Sequence, residues 1–288
     1  MTESINDTSR GSGSNRQPGR RPYGSVPEDL AEVVLRWVDQ IPLELSWSQG
    51  IATAAVLAGV GEARRATPME TGRRLPPTSQ AAEGRRISIG ALAEEPSQPL
   101  ADILRYRRST RTLGPLSLTA LATVLVRSGR VRSWDTAPDG YQITHRPAPS
   151  AGARHPCDMV VAANEVEGLS QGWWTFDPVA CELAVAQGPH PPLGDAMTKA
   201  MEVGQLQGRP GAVIFLVAHF DRTLSRYPAG GPLVWRDAGV LLGLLHLCAS
   251  ALELGSCIVG TCGVVIEQRH PELVTDIGAI ALGRDMTA

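Results

Sequence analysis

Hydrophobic positions along the chain change their period several times, and the changes mark out its elements. Met1 to Ser25 has almost nothing to bury and is rich in Gly, Ser, Arg and Asn, so a disordered tail is expected there. From Val26 to Glu62, Leu30, Val33, Val34 and Trp37 fall on one helical face behind Pro27-Glu28-Asp29, and a second helix is expected over Leu45–Gly59. These form a small N-terminal helical extension. Residues 63–98 lose periodicity and carry three Arg-Arg pairs, which reads as a linker holding at most one short strand at Ile87–Ile89.

The main domain is expected from 99 to 288. A helix over Pro99–Arg108 precedes an amphipathic one capped by Ser117 and stopped by Gly129, with Leu118, Leu121, Val124 and Leu125 on one stripe. Strands are expected at Tyr141–Arg146, Met159–Ala163, Gly172–Phe176 and Glu182–Ala186, with a turn at 165–168. If Gly172–Phe176 is a strand, Trp173 and Trp174 face opposite sides. A helix follows over Leu193–Leu206. Gly211–His219 is a continuous apolar run, the mark of a strand covered on both faces. Leu233–Leu254 is the longest helix. It is apolar or small at nearly every position from Ala238 to Leu252 and so is expected at the centre or at a subunit interface, with Gly255 ending it. Ser256–Val265 reads as a Gly-rich segment, Pro271–Val274 as a turn of helix and Gly278–Leu282 as a last strand.

Composition narrows the possibilities. Hydrophobic content of 43% and charged content of 19% suit a globular enzyme, and a net charge of −2 gives no footprint for non-specific nucleic-acid binding. Five cysteines without a CxxC, and six histidines without HExxH, indicate neither a disulfide framework nor a metal site. Lys199 is the only lysine. There is no GxGxxG after a strand and no GxxxxGK[ST], which removes the Rossmann and P-loop readings. The N-terminus has no apolar signal-peptide core and the longest apolar run is short for a bilayer, so a cytoplasmic protein is expected.

Two stretches carry candidate chemistry. Arg107 to Arg111 reads RRSTR, three arginines and a hydroxyl suited to a phosphate. His145 to Asp158 reads HRPAPSAGARHPCD, a short strand entering a loop of small residues that a flat polar ring can approach. In this order and spacing, with the GWWTFDPVACEL hairpin downstream, they resemble the FMN-dependent nitroreductase superfamily. The closer match is its branch of peptide-tailoring dehydrogenases, which oxidise azolines to azoles. The resemblance covers roughly the C-terminal two-thirds of the chain.

The resemblance implies an α+β fold: a nitroreductase-like mixed sheet with a long buried central helix and FMN at a homodimer interface. It implies that Arg107 and Ser109 meet the phosphate or ribityl chain and Arg111 the pyrimidine edge. The loop Pro149, Ser150, Ala151 and Gly152 would come from the other subunit and lie along the ring. Cys262-Gly263 stands where the family has a Gly-Gly or Glu-Gly pair, and Gly283-Arg284 matches a pair that reaches the phosphate. The family's Lys-Tyr pair is missing. Arg226-Tyr227 is the nearest substitute, with Tyr227 the candidate for proton handling beside Arg226. Asp237-Ala238-Gly239-Val240 replaces the family's Glu-Ala-Gly-His. The leading expectation is an FMN oxidoreductase that dehydrogenates a peptide-derived natural product, with a peptide substrate and partner biosynthetic enzymes. Its rivals are an NAD(P)H-dependent nitro or quinone reductase and a redox-inactive peptide-binding subunit.

Overall fold

Two strands, each apolar at all seven positions, form the middle of the molecule. In the computed structural model Cys157–Ala163 and Ala212–Ala218 lie side by side, antiparallel, and every residue of both is buried. The structure describes residues 76, 78, 84–138, 140–186, 190–227, 230–262 and 276–287. The expected helices within 26–62, most of the 63–98 linker, Gly263 and the expected turn at Pro271–Val274 lie outside the described residues.

In chain order the strands are β1 Arg86–Ser88, β2 Leu116–Ser117, β3 Ser133–Thr136, β4 Gln142–His145, β5 Cys157–Ala163, β6 Val166–Glu167, β7 Gly172–Asp177, β8 Glu182–Val185, β9 Ala212–Ala218, β10 Leu254–Val259 and β11 Asp276–Arg284. The helices are α1 Leu100–Tyr106, α2 Leu118–Gly129, α3 Leu193–Gly204, α4 Phe220–Leu224 and α5 Gly231–Ala251. Seven strands form one sheet in the order β1-β8-β7-β5-β9-β11-β10. Each neighbouring pair in it is antiparallel. Parallel pairing, expected within a mixed sheet, is found between β2 and β6, outside the main sheet.

Helices α2 and α5 cover one face of the sheet, and α3 covers the other. The alternation of β7 shows this directly: Trp174 joins the α2/α5 cluster and Trp173 the α3 cluster. Each indole N–H is satisfied, Trp174 by the Ser170 carbonyl at 3.0 Å and Trp173 by the Pro191 carbonyl at 3.1 Å. The Ser117 hydroxyl caps α2 by accepting from the Ala120 N–H at 3.2 Å, as its position predicts.

Four expectations change. The end of the linker belongs to the core: Arg86–Ser88 pairs with β8, and Ile89 is fully buried. Gly255 does not stop the long helix. That helix ends at Ala251, Glu253 takes the left-handed turn at φ +56°, and Gly255 sits in β10. A Cβ there would come within 2.7 Å of Leu113, so the glycine serves a close approach. The Gly-rich reading of Ser256–Val265 gives way to a strand over its first part, because Ser256, Cys257 and Val259 are buried against the neighbouring β11. Strand β11 also runs through Gly283-Arg284 rather than stopping before it.

Helix α5 is long and apolar enough to cross a membrane by length and composition. In the fold it packs one side against the sheet through Val234, Ala238, Leu241, Leu242, Leu245 and Ala249. Its other side is open: Arg236, Gly239 and Val240 are exposed, Val240 by 42%, and a Cβ built on Gly239 or Gly243 meets nothing within 4 Å. Within this chain the helix therefore keeps an exposed face, contrary to the expectation that it has none.

Candidate functional site

The two stretches with candidate chemistry attach to opposite flanks of α5. Asp237 holds the small-residue loop. Its carboxylate accepts from the Ser150 hydroxyl at 2.5 Å and from the Ala151 N–H at 3.2 Å. Ser150 Oγ in turn accepts from the His155 N–H at 2.8 Å, so one hydroxyl ties both ends of the loop to the helix. Burial pushes the Asp237 carboxyl above its usual range, against the pull of these hydrogen bonds.

Nine residues later His246 holds Arg107. Arg107 Nη1 lies 2.8 Å from His246 Nε2, and His246 Nδ1 lies 2.7 Å from Ser256 Oγ. Nine residues are two and a half helical turns, about 13 Å along the axis and about half a turn around it. The loop and the arginine therefore flank the open face of α5 on either side.

The loop backbone is constrained as well as tied. Gly152, Ala153 and His155 have φ of +58°, +52° and +45°. Left-handed backbone at two non-glycine residues costs about 1–2 kcal/mol each, and such strain concentrates at ligand clamps and active sites. The His155 ring donates from Nε2 to the Thr144 carbonyl at 2.8 Å. Burial first, and then the Arg146 charge, depress its pKa to about 3, so it is neutral. Arg154 is buried with its guanidinium carbon 3.6 Å from the centre of the Tyr141 ring. Behind the loop lies a small cavity of about 30 Å³, lined by Arg146, Ser150, His155, Cys157 and Asp237 among others. Burial brings Arg146 down to about 10.

Tyr227 reaches this loop. A Cβ placed on Gly152 would lie 2.6 Å from the Tyr227 hydroxyl. The Arg226 guanidinium sits 5.8 Å from the centre of the Tyr227 ring. Tyr227 is anchored through α4, where a buried ion pair fixes the chain: Arg222 donates to Asp158 at 2.7 and 3.2 Å, and His219 Nε2 lies 2.9 Å from the same carboxylate. Arg222 and His219 hold the Asp158 carboxyl well below its usual range, overcoming burial.

The other expected residues divide. Arg107, Ser109 and Arg111 are exposed, and the segment containing them runs beside β10, with the Thr110 N–H bonded to the Ser256 carbonyl at 2.9 Å. Arg284 pairs with Leu254 across β10/β11 and shares the sheet face of Leu282 and Ile280, the α5 side. It thus lies on the same face as Ser256, His246 and Arg107. Arg111 lies apart from this set. Its charge acts on the Cys257 thiol, which faces α3. Cys262 is a packed thiol: its N–H donates to Asp276 at 2.7 Å, and burial followed by the Asp276 charge pushes the thiol up to about 12. Pro149 and Gly152 are exposed, while Ser150 and Ala151 are half-buried beside Asp237.

Sequence reasoning did not single out His246, Ser256, His155 or Arg146. One signal was present. His246 is the only basic residue between Ala238 and Leu252, and a lone histidine in an apolar helix has to be paired or neutral. Asp237 was visible only as a replacement for a family glutamate.

No family model matches the chain. A Methanocaldococcus jannaschii protein assigned as a nitroreductase, MJ1384, is 26% identical over 164 residues, which is 56% of this chain and 78% of that protein. The structure of a Ralstonia eutropha JMP134 protein assigned as a nitroreductase is similar at a TM-score of 0.51 and 21% identity, covering 74% of this chain and 96% of that one. An Anabaena variabilis structure assigned in the same way reaches a TM-score of 0.56 at 17% identity, covering 83% of this chain and 47% of that one. The antiparallel sheet, the long helix on its face and these likenesses agree: the chain has the nitroreductase-like α+β fold.

Proposed function

We propose that the chain is an FMN-dependent oxidoreductase that works as a homodimer and dehydrogenates a peptide-derived heterocycle, azoline to azole. The observation that carries this reading is the pair of half-sites on the two flanks of α5. On one flank Arg107 is exposed and spends one donor on His246, and Arg284 stands on the same face. That suits a phosphate, which guanidinium groups bind as a fork. On the other flank the Pro149–Gly152 loop offers backbone and small side chains, which suits a flat ring. Within one chain the two are about 13 Å and half a helical turn apart. The face between them is open and lined by Gly239 and Gly243. A second copy seated there brings one protomer's loop towards the other's arginines.

Bound FMN would supply the hydride-accepting chemistry. The chain's own residues have distinct tasks. Arg107, Ser109 and Arg284 bind the phosphate end. Ser150, Ala151 and Gly152 line the ring. Tyr227, its hydroxyl at Gly152 and Arg226 beside its ring, is the group placed to hold or move the substrate proton. Arg111, beside Cys257, takes the pyrimidine edge where the partner carries the ring to the α3 side.

A second reading is favoured by the assignment of the similar Methanocaldococcus protein as a nitroreductase: the same flavin site fed by NAD(P)H and discharging to a nitroaromatic or quinone. Anaerobic mixing of the FMN-loaded protein with NADPH separates the two. Rapid bleaching supports the reductase. Absence of bleaching, with oxidation of an azoline-bearing peptide under air, supports the dehydrogenase.

A further inference from the structure

The apolar helix α5 contains one histidine, and the structure gives it a single arrangement of protons. A guanidinium carries five N–H donors and no acceptor. The 2.8 Å contact between Arg107 Nη1 and His246 Nε2 therefore requires Nε2 to accept. The ring proton must then sit on Nδ1, where it is donated to Ser256 Oγ at 2.7 Å. Ser256 is buried, as is His246. Burial and then the neighbouring Arg107 charge depress the His246 pKa, in agreement with a neutral ring. Arg107 follows directly on α1, with its N–H bonded to the Ile103 carbonyl, so its backbone is fixed while its side chain reaches an exposed surface. A free arginine side chain there would lose rotamer entropy on binding that a side chain already held by a hydrogen bond does not.

We propose that His246 is a positioning residue for the phosphate end of the flavin nucleotide site: its neutral ring accepts one Arg107 N–H and thereby aims the remaining guanidinium donors, while Ser256 fixes the tautomer. The inference rests on the flavin reading above. It assigns recognition of the phosphate, as opposed to the ring, to a chain of three residues from three elements: the end of α1, α5 and β10.

The test compares FMN with riboflavin, which has the ring and ribityl chain but no phosphate. Dissociation constants for both are measured by flavin fluorescence titration of the wild type, Arg107→Ala, His246→Leu, His246→Gln, Ser256→Ala and the Arg107→Ala/His246→Leu double variant. The wild type is expected to prefer FMN. Arg107→Ala and His246→Leu each lose about tenfold in FMN affinity, the order of one charge-assisted hydrogen bond, with riboflavin affinity unchanged. The double variant is no weaker than Arg107→Ala. His246→Gln, whose amide oxygen can take the place of Nε2, recovers most of the preference, and Ser256→Ala gives a smaller loss in the same direction.

A His246→Leu protein that keeps the wild-type FMN/riboflavin ratio while Arg107→Ala lowers it overturns the inference and leaves the flavin reading standing. Equal losses for FMN and riboflavin also overturn it, because they show a merely structural role. If His246→Leu does not fold, the same ratio in His246→Gln and Ser256→Ala decides. A wild type that binds neither flavin refutes the flavin reading itself, and this inference with it.

Discussion

Replacing Gly152 with alanine tests the loop and Tyr227 together. Gly152 has φ +58°, and alanine in left-handed backbone costs about 1–2 kcal/mol whatever surrounds it. The new methyl group would also lie 2.6 Å from the Tyr227 hydroxyl, and 3.2 and 3.3 Å from ring carbons Cε2 and Cζ. Ordinary contact begins near 3.4 Å, so the hydroxyl has to retreat by roughly 0.8 Å. Forcing such an overlap costs about 1–3 kcal/mol. The total expected for Gly152→Ala is about 2–5 kcal/mol. Tyr227→Phe deletes the atom with the worst overlap and leaves contacts that yield by a few tenths of an ångström. In that background only the backbone cost and a small remainder persist, so Gly152→Ala should cost about 1 kcal/mol less. Urea unfolding of the four proteins in the cycle, with the m-value held constant, gives the coupling. Equal costs in both backgrounds would refute the placement of the Tyr227 hydroxyl at the loop, and with it the structural basis for assigning Tyr227 to proton handling.

Three further predictions follow from buried polar groups. His155 has a folded pKa of about 3 against roughly 6.5 unfolded, so below pH 6.5 the unfolded chain takes up a proton that the folded chain refuses, and stability falls as pH falls towards 3. Between pH 7.5 and pH 5 the loss from this group is about 2 kcal/mol, and His155→Gln should flatten the pH dependence by that amount; parallel profiles would contradict the assignment. Asp158→Asn leaves the buried Arg222 without its carboxylate and should cost about 3–5 kcal/mol, read from the unfolding midpoint; a cost below 1 kcal/mol would show that the pair is not fully desolvated. Ser150→Ala removes both the bond to Asp237 and the acceptor for the His155 N–H, so a loss of about 1–3 kcal/mol is expected, with faster amide exchange at His155; unchanged exchange would mean that the loop is held by its neighbours alone.

How much of this was legible in the sequence depended on whether a residue's role was local or set by contacts across the fold. Strand β9 could be read because seven consecutive apolar residues have no other sensible home, and its complete burial agrees. The opposed faces of Trp173 and Trp174 follow from the period of a strand alone. Strand β10 was hidden because its glycine and serine carry loop propensities, while their reasons lie elsewhere in the chain: Gly255 makes room for Leu113, and Ser256 meets His246. The short strand expected at Ile87–Ile89 is found at Arg86–Ser88, and what the sequence did not show is that it joins the main sheet as an edge through β8.

The site was legible in part for the same reason. Arg107 and the Pro149–Gly152 loop stood out by residue type, and the structure brings Tyr227 to that loop across 75 residues of sequence, between Gly152 and Tyr227. Arg111 followed the pattern of the family, but in this chain it lies beside Cys257; Cys262, which departs from the family's Gly or Glu at that position, is packed in the α3 layer. The residues that hold the site, Asp237 and His246, gave almost no signal, because holding is a property of distance. Their spacing on α5 carries the proposal that two copies complete one site.

The central claim is tested most directly by adding FMN to the purified protein, removing the excess by desalting, and recording the visible absorption together with the sedimentation velocity. The account predicts a yellow protein that sediments as a dimer and carries up to one FMN per chain. A protein that is colourless after loading, or one that retains FMN as a monomer, would contradict the claim that two copies build the flavin site across α5.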